Sequence, residues 1–286
     1  MNKQKTLAFF GAHPDDESFG VGSTLAEYAA SGVNVYYVCS TGGELGTVDK
    51  RHFVEHETIE KIRDAELKCA AEALGLADVF YLGYRDSGMP GSAENKHPDS
   101  LAAAPVDKVA AQAVKIMRQI RPDVVITHDA QGGYGHPDHI ATHNAVLHAF
   151  HDAGNLQCYP EAGEPFQPQK LYFSVRSLKI IKIMAKLMPL LGQDSHHFGR
   201  NKDIDITKMI GVEYPVDAVI RLSRKSVRRR NQAVACHASQ SSRRGRPWLF
   251  RIIEILENIR GPRGYFMRAY PPPTNQREKD LFEGIS

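Results

Sequence analysis

Cysteine is scarce and long apolar runs are absent from this chain of 286 residues, which has only four cysteines. The cysteines lie at 39, 69, 158 and 236 and form no C-x-x-C pair, so we expect neither a disulfide framework nor a thiolate zinc site and infer a reducing, cytoplasmic location. The longest stretch without Asp, Glu, Lys or Arg covers residues 28–43 and contains several polar side chains. It is too short and too polar to cross a bilayer, so we expect no membrane-spanning helix. The apolar run at 7–12 leads into charged residues, which predicts no secretion signal.

Acidic residues are missing from 218–253, a segment that contains ten basic residues. The net charge is +3, so the rest of the chain has 26 basic and 33 acidic residues. Such a block either steers anionic ligands or nucleic acid, or forms solvated helix faces that pair with the acidic remainder. Neither a nucleic-acid motif nor an interleaved aromatic pattern accompanies the block, so we favour the second interpretation.

Short β-branched or aromatic runs alternate with longer amphipathic stretches through the first 175 residues. This alternation is typical of β-α-β units, so we predict an α/β, Rossmann-like fold with a mostly parallel sheet and helices on both faces. The predicted strands are 6–11, 34–40, 78–82, 123–127 and 171–175, and the predicted helices are 17–30, 55–74, 106–120 and 137–151.

The alternation weakens after residue 176. We therefore divide the chain into an α/β core, 1–176, and a less regular extension, 177–270, that packs on the core and shapes its ligand site. Three consecutive prolines followed by polar residues predict a flexible tail over 271–286. Within the extension we expect a helix at 177–191, a strand at 211–216 and a basic helix at 223–239.

Clusters of polar residues follow four of the predicted strands at the points where the strands end. In an open α/β sheet, ligands bind beyond the carboxyl ends of the strands, so we expect these clusters to face one rim. The clusters are residues 13–17, 41–44, 84–88 and 128–139.

Three residues of this rim are candidate metal ligands. His13 and Asp16 are three residues apart where a strand turns into a helix, and His139 would supply a third ligand from the fourth loop. Two histidines and one carboxylate with an open position suit a catalytic zinc, which lowers the pKa of a bound water to about 7. Iron is an alternative metal, because this ligand set does not discriminate strongly between the two.

The neighbours of these ligands suit hydrolytic chemistry. Asp15 is left as an unligated carboxylate beside the metal, where a general base is needed. His136, one helical turn before His139, would stabilise an oxyanion or protonate a leaving amine, and Asp138 would orient an imidazole. Each His-Pro-Asp element alone could instead be a helix entry with Pro and Asp in the first turn. Two such elements after two strands of one sheet favour the metal site.

The motifs resemble those of the zinc-dependent de-N-acetylases of the PIG-L/LmbE superfamily. The matching segments, in order over residues 6–175, are GAHPDDE at 11–17, RDAE at 63–66, GYRDSG at 83–88 and GGYGHPDH at 132–139. The resemblance implies zinc ligands at His13, Asp16 and His139, a general base at Asp15 and an assisting imidazole at His136.

The resemblance also implies residues that contact the substrate. Arg63 and Asp86 match positions that touch the sugar, and Tyr134 matches an aromatic side chain beside the reacting carbonyl. Without the resemblance, Arg63 would be an exposed helix cation and Asp86 a turn residue. Glu44 follows a Gly pair and would bind substrate hydroxyls, or belong to a plain turn. His237 begins an element, HASQ, that is found near the active-site mouth in many members of the superfamily. The alternative is a histidine at the end of a helix, where it would interact with the helix dipole.

The expected function is hydrolysis of an acetamide on a GlcNAc-like sugar conjugate, a small-molecule substrate, by a metal-bound water with Asp15 as base. The alternatives are an amidase of the mycothiol-conjugate type and, from another class, a non-catalytic protein of the same fold that binds anions or nucleic acid. A non-haem iron oxygenase also uses two histidines and one carboxylate, but on a jelly-roll barrel. No membrane partner is expected, and assembly into a homo-oligomer is left open.

Overall fold

The protein is described by a computed structural model over residues 4–49, 52–53, 58–176, 182, 185–189, 194, 196–197, 205, 207, 212–240 and 261–285. Within these ranges, strands of one sheet alternate with helices for most of the chain. In order, the elements are β1 (Thr6–Gly11), α1 (Asp16–Phe19), α2 (Gly22–Ala30), β2 (Asn34–Thr41), α3 (Ile59–Leu74), β3 (Asp78–Tyr84), α4 (Val106–Ile120), β4 (Val124–His128), α5 (Gly132–Gly135), α6 (Pro137–Asp152), β5 (Lys170–Ser174), β6 (Ala218–Arg221), α7 (Arg224–Cys236) and β7 (Arg263–Tyr270).

The sheet has seven strands in the order β3-β2-β1-β4-β5-β7-β6. Strands β1 to β5 are parallel to one another, whereas β7 is antiparallel to both β5 and β6. This arrangement confirms the predicted α/β fold with a mostly parallel sheet. The chain order reverses between β1 and β4, and a crevice for a ligand forms at the carboxyl ends of the strands at such a point.

Both faces of the sheet are buried, because successive side chains of a strand point to opposite faces. On one face, Phe10 of β1 and Val125 of β4 pack in a cluster with Met117 of α4 and Phe150 of α6. On the other face, Phe9 packs in a second cluster with residues of α2 and β2. Full burial of one such side chain contributes about 1.5–3 kcal/mol. The two cores therefore hold the ends of β1 and β4 in place.

The helices that border the crevice begin at capped positions. The first turn of α6 has Pro137 at its start, and Nδ1 of the preceding His136 accepts a hydrogen bond from the backbone N–H of Asp138 at 3.2 Å. For α3, the hydroxyl of Thr58 accepts from the N–H of Lys61 at 3.2 Å. These caps satisfy N–H groups that have no partner within the helix and fix where each helix begins.

Two predicted elements differ in the structure. The predicted helix 17–30 is divided into α1 and α2 around Gly20 and Val21. A Cβ atom at Gly22 would lie 2.7 Å from the carbonyl oxygen of Glu17 and 2.9 Å from Arg230, so α2 can pack closely only with glycine at its start. The predicted strand 211–216 is wrong over its described part, because sheet pairing begins at Ala218, opposite Phe266 of β7. The predicted helix at 177–191 lies largely outside the described residues.

The extension and the predicted tail are continuous with the core. Strands β6 and β7 extend the central sheet, and α7 packs on α2 and α3. The prediction of a flexible tail over 271–286 is wrong for its last turns, because Leu281 and Phe282 are 0% and 3% exposed. Glu278 is also buried and accepts hydrogen bonds from Lys170 and Arg268, both at 2.6 Å. Nonlocal apolar and ionic contacts therefore order a segment whose composition predicts disorder.

A disulfide bond joins Cys69 of α3 to Cys236 at the end of α7, although the two are 167 residues apart in the chain. The expectation of no disulfide is wrong, because the fold brings together cysteines whose spacing shows no pattern. The inference of a reducing, cytoplasmic location rested on the expected absence of disulfide bonds, so it is no longer supported. Among the described residues, no helix combines the length and the apolar character that crossing a membrane requires.

We expect removal of this disulfide to destabilise the protein, because the bond closes a long loop in the unfolded chain. A Cys69→Ser/Cys236→Ser variant should lose about 2–5 kcal/mol of unfolding free energy. Urea denaturation under non-reducing conditions measures the loss, with Cys158→Ser, a free cysteine, as the control. Equal midpoints for the double variant and the wild type would contradict the bond.

Candidate active site

The candidate site lies at the carboxyl ends of β1 and β4, where the strand order reverses. The turn after β1 contributes His13, Asp15 and Asp16, and the start of α6 contributes His136 and His139. The ring centres of His13 and His139 are 5.3 Å apart, although the residues are separated by most of the core sequence. The fold therefore unites the two His-Pro-Asp motifs.

The carboxylate of Asp16 is held by the backbone and faces an imidazole. Its Oδ2 accepts hydrogen bonds from the N–H groups of Ala12 and His13 at 2.8 and 2.9 Å, and its Oδ1 lies 3.4 Å from Nε2 of His139. Burial raises the pKa of Asp16, but the neighbouring histidines outweigh it and hold the pKa well below the usual range. Asp16 is therefore a fixed negative charge.

His13 is oriented by buried carboxylates. Its Nε2 lies 3.1 Å from Oδ2 of Asp138 and 3.8 Å from Oδ1 of Asp86. Asp138 is itself fully buried and accepts hydrogen bonds from the backbone N–H and the hydroxyl of Ser87. Burial lowers the pKa of His13, but Asp138 and Asp86 outweigh it and raise the pKa well above its usual value. With Nε2 engaged by Asp138, Nδ1 is the nitrogen that faces Asp16, at 3.9 Å.

These donors suit a divalent cation. Nε2 of His139 is buried and has no hydrogen-bond partner among the described residues, and burial keeps the pKa of this imidazole well below its usual value. Oδ1 of Asp16 lies 3.4 Å from Nε2 of His139, and Oδ2 of Asp16 lies 3.9 Å from Nδ1 of His13. Two ligand atoms of a tetrahedral zinc ion are about 3.3–3.4 Å apart, so these distances are close to those of a zinc site. Among the described residues, three groups of possible ligands each have ligand atoms within 4.8 Å of one another: His13, His136 and His139; Asp16, His128 and His139; and His13, Asp86, His136 and Asp138. His139 belongs to the first two.

Asp15 lies beside this group and is paired with Arg63. Oδ2 of Asp15 accepts a hydrogen bond from Nη2 of Arg63 at 2.9 Å. Burial raises the pKa of Asp15 to about 6, although the Arg63 charge opposes the rise. A carboxyl group with a pKa near the operating pH is suited to general base catalysis.

Arg63 itself is 3% exposed, so the alternative of an exposed helix cation is wrong. Besides Asp15, its guanidinium donates to the carbonyl oxygens of Gly43 and Pro14 at 2.8 and 2.9 Å. A Cβ atom at Gly43 would lie 2.0 Å from Nη1 of Arg63, so this approach requires glycine. Arg63 thus ties α3 to the turn that carries Asp15.

His136 and Tyr134 lie next to the imidazoles of His13 and His139. The ring of His136 is 4.6 Å from that of His13, and the ring of Tyr134 is 5.5 Å from that of His139. Burial and the charge of His13 lower the pKa of His136 to about 4, so the imidazole is neutral. Its Nδ1 accepts the Asp138 N–H, which assigns the ring proton to Nε2. His136 is therefore a neutral hydrogen-bond donor.

Glu44, which follows β2, contacts Asp86, which follows β3. Oε1 of Glu44 accepts the backbone N–H of Asp86 at 3.0 Å, and Oε2 of Glu44 is buried without a hydrogen-bond partner in the described structure. Burial raises the pKa of Asp86, but His13 outweighs it and depresses the pKa far below its usual value. A cavity of about 790 Å³ opens beside Glu44, and its walls include Pro14, Tyr81, Tyr84 and Lys108.

His237 is buried against the first motif. It is 0% exposed, and its Nε2 lies 2.7 Å from Oε1 of Glu17, which is also 0% exposed. Its partner is the last residue of the GAHPDDE motif, and a contact between His237 and substrate stays a prediction. Two residues on, the N–H and hydroxyl of Ser239 donate to the carboxylate of Glu66 on α3, at 2.6 and 2.7 Å.

His128 is a residue of the site that sequence analysis missed. It is the last residue of β4, and its Nε2 lies 3.3 Å from Oδ2 of Asp16. The signal was its position, since it begins the polar cluster 128–139 directly after a buried strand. Glu17 was missed in the same way, although it stands within the first motif.

Comparison with known proteins agrees with the motifs. The family described as GlcNAc-PI de-N-acetylase, PIG-L, matches residues 8–150. A 1D-myo-inositol 2-acetamido-2-deoxy-alpha-D-glucopyranoside deacetylase of Geodermatophilus obscurus is 32% identical, over 100% of this chain and 99% of the relative. An enzyme of the same name from Nocardiopsis dassonvillei is 35% identical, over 96% of this chain and 99% of the relative.

Solved structures share the fold. The N,N'-diacetylchitobiose deacetylase of Pyrococcus horikoshii has a TM-score of 0.62 at 21% identity and covers 99% of this chain and 87% of its own. The zinc-inhibited form of the teicoplanin deacetylase Orf2 has a TM-score of 0.56 at 18% identity, over 94% of this chain and 100% of its own. With the sequence matches, these findings confirm the predicted resemblance: the chain belongs to the PIG-L family of de-N-acetylases.

Proposed function

We propose that this protein is a metal-dependent hydrolase that removes the acetyl group from the amino sugar of a small N-acetylglucosaminyl conjugate of the GlcNAc-inositol class. The observation that carries the proposal is geometric: the carboxylate of Asp15, held by Arg63 at 2.9 Å, stands directly before Asp16, which lies 3.9 Å from His13 and 3.4 Å from His139. The substrate class is supported by full-length relatives that are named as deacetylases of a GlcNAc-inositol. The mostly parallel sheet argues against the jelly-roll oxygenase alternative.

The residues that would hold the metal are His13, Asp16 and His139, and zinc is the metal we propose, with iron as the alternative. When bound, the cation supplies Lewis-acid polarisation of the acetamide carbonyl and lowers the pKa of a water ligand to about 7. The buried carboxylates around His13 favour positive charge at this point, as the raised pKa of His13 indicates.

The protein groups divide the proton transfers. Asp15 accepts the proton of the attacking water, and Arg63 holds its carboxylate in place during the transfer. Neutral His136 donates its Nε2–H to the carbonyl oxygen as negative charge develops there, and Tyr134 borders the same space. The proton held by Asp15 then passes to the amine nitrogen as the C–N bond breaks, which releases acetate and the free amino sugar.

The cavity beside Glu44 is proposed to receive the sugar conjugate. Its volume of about 790 Å³ is within the range of small-molecule sites, about 300–1,000 Å³. Glu44 lines this cavity, so we propose its carboxylate as a partner for a sugar hydroxyl; Asp86, which donates its backbone N–H to Glu44, stands behind it and is not a lining residue. The names of the relatives favour a deacetylase over an amidase of the mycothiol-conjugate type.

The direct test is amine release from N-acetylated amino sugars. We expect a GlcNAc-inositol to release a primary amine and acetate, to lose this reaction after treatment with a chelator, and to regain it when Zn²⁺ is added. Benzylated mycothiol conjugates, offered in parallel, test the amidase alternative. Undiminished turnover by the chelated protein would contradict a metal-dependent reaction.

We expect Asp15→Asn to lower kcat by about 10²–10⁴-fold, because the amide has the shape of the carboxylate but cannot accept the proton. The zinc content should not change, since Asp15 is not a proposed ligand. Steady-state kinetics and metal analysis measure both quantities. Asp107→Asn, an exposed carboxylate on α4, is the matched control. Near-normal kcat in Asp15→Asn would assign the base elsewhere.

Arg63→Gln should move the acid limb of the kcat/KM profile to higher pH. The charge of Arg63 lowers the pKa of Asp15, so its loss raises that pKa, and the deprotonated base is then lost at a higher pH as the solution is acidified. Below the pKa, kcat/KM should fall about tenfold for each unit of the shift. Lys68→Gln, an exposed lysine on the same helix, serves as the control. An acid limb that stays in place would show that Arg63 does not act on Asp15.

A further inference from the structure

One side of helix α3 connects the proposed base to the C-terminal third of the chain. Positions 63, 66 and 69 are spaced by three residues, which places them on one side of the helix. Arg63 donates to Asp15 at 2.9 Å. Glu66 accepts the N–H and the hydroxyl of Ser239 at 2.6 and 2.7 Å. The third position, Cys69, forms the disulfide bond.

The segment 236–239, which follows α7, also contacts the turn that carries Asp15. Nε2 of His237 lies 2.7 Å from Oε1 of Glu17, two residues after Asp15, and both side chains are buried. Besides Ser18 in its own turn, His237 is the hydrogen-bond partner that the described residues give to the Glu17 carboxylate. Movement of the segment would therefore leave a buried carboxylate next to the base without its imidazole partner, which is unfavourable.

The disulfide bond that anchors this segment is open to solvent, whereas the contacts that follow it are buried. Cys69 is exposed and Cys236 is half-buried, but His237 and Ser239 are both inaccessible to solvent. A thiolate can therefore approach the bond, and exposed disulfides exchange with thiols more readily than buried ones.

We propose that this disulfide is a redox-sensitive positioning element of the active site. The intact bond holds the segment 236–239 against Glu17 and Glu66, and reduction by a dithiol releases it. Two thiol–disulfide exchanges break the S–S bond and leave Cys69 and Cys236 as thiols. The dithiol becomes its cyclic disulfide, so two electrons and two protons pass to the protein.

Release of the segment should lower kcat more than it changes KM. Asp15 and Arg63 are held from two sides by the contacts of the segment, and a displacement of about 1 Å near the reacting groups can lower a rate about 100-fold. We expect a fall in kcat of about 10–100-fold, with unchanged zinc content. The inference rests on the proposed function in taking Asp15 as the base.

The test compares the oxidised protein, the same protein reduced with dithiothreitol, and a Cys69→Ser/Cys236→Ser variant. GlcNAc-inositol turnover gives kcat and KM, metal analysis gives the zinc content, and circular dichroism reports the fold. The variant treated with dithiothreitol is the control for removal of zinc by the reductant. Cys158→Ser, which retains the bond, is the control for the loss of a cysteine. Hydrogen exchange of the Ser239 amide, which donates to Glu66, follows release of the segment without any turnover.

We expect reduction to lower kcat while the circular dichroism signal is retained, and reoxidation to restore kcat. The double variant should have the kcat of the reduced protein and should not respond to dithiothreitol. The Ser239 amide should exchange faster in both, whereas amides of α4, which packs on the opposite face of the sheet, should not change.

Unchanged kcat in the reduced, folded protein would overturn the proposal. A rise in KM alone would also overturn it, because it would assign the segment to substrate binding, and unfolding on reduction would make the bond purely stabilising. Absence of turnover by the oxidised protein would contradict the proposed function alone, and exchange of the Ser239 amide would then still decide whether the bond holds the segment.

Discussion

The site depends on one constraint, the fixed carboxylate of Asp16. Its Oδ2 is bound to the backbone N–H groups that follow β1, so Asp16 cannot turn away without leaving two buried donors unsatisfied. Both imidazoles from the β4 side, His128 and His139, face this carboxylate. The central position of β1 in the sheet, buried on both faces, therefore fixes a charge around which the other strands and helices bring their ligands.

A second buried charge, that of Arg63, acts on the pKa of Asp15, the proposed base. Burial raises the pKa of Asp15, and the charge of Arg63 limits this rise. The hydrogen bond from Arg63 also fixes the orientation of the carboxylate. The guanidinium reaches Asp15 only because Gly43 leaves room for it, so Gly43 belongs to the support of the candidate site. A sugar contact by Arg63 is not needed to explain its burial, since Gly43, Pro14 and Asp15 take three of its hydrogen bonds.

Local patterns in the sequence were sufficient for the parallel part of the fold and for the two His-Pro-Asp turns. Strands such as β1 and β4 are mostly apolar and end at polar clusters, so their position and the rim they share follow from short segments. Contacts between distant segments were not accessible in this way. The disulfide from Cys69 to Cys236, the burial of Leu281 and the hydrogen bonds of Glu278 all depend on which elements become neighbours. The pairing of His237 with Glu17 was not predicted for the same reason: the two residues are 220 positions apart in the chain.

These nonlocal contacts change how the C-terminal third relates to the chemistry. Glu17 of the first motif pairs with His237, and Glu66, three residues after Arg63 on α3, accepts both hydrogen bonds from Ser239. The disulfide attaches the residue before His237 to the same helix. A division into a catalytic core and an extension therefore does not divide the site, because the extension supports the turn that carries Asp15 and the helix that carries Arg63. Sequence changes in 236–239 are thus expected to act on Asp15 and Arg63 through these supports.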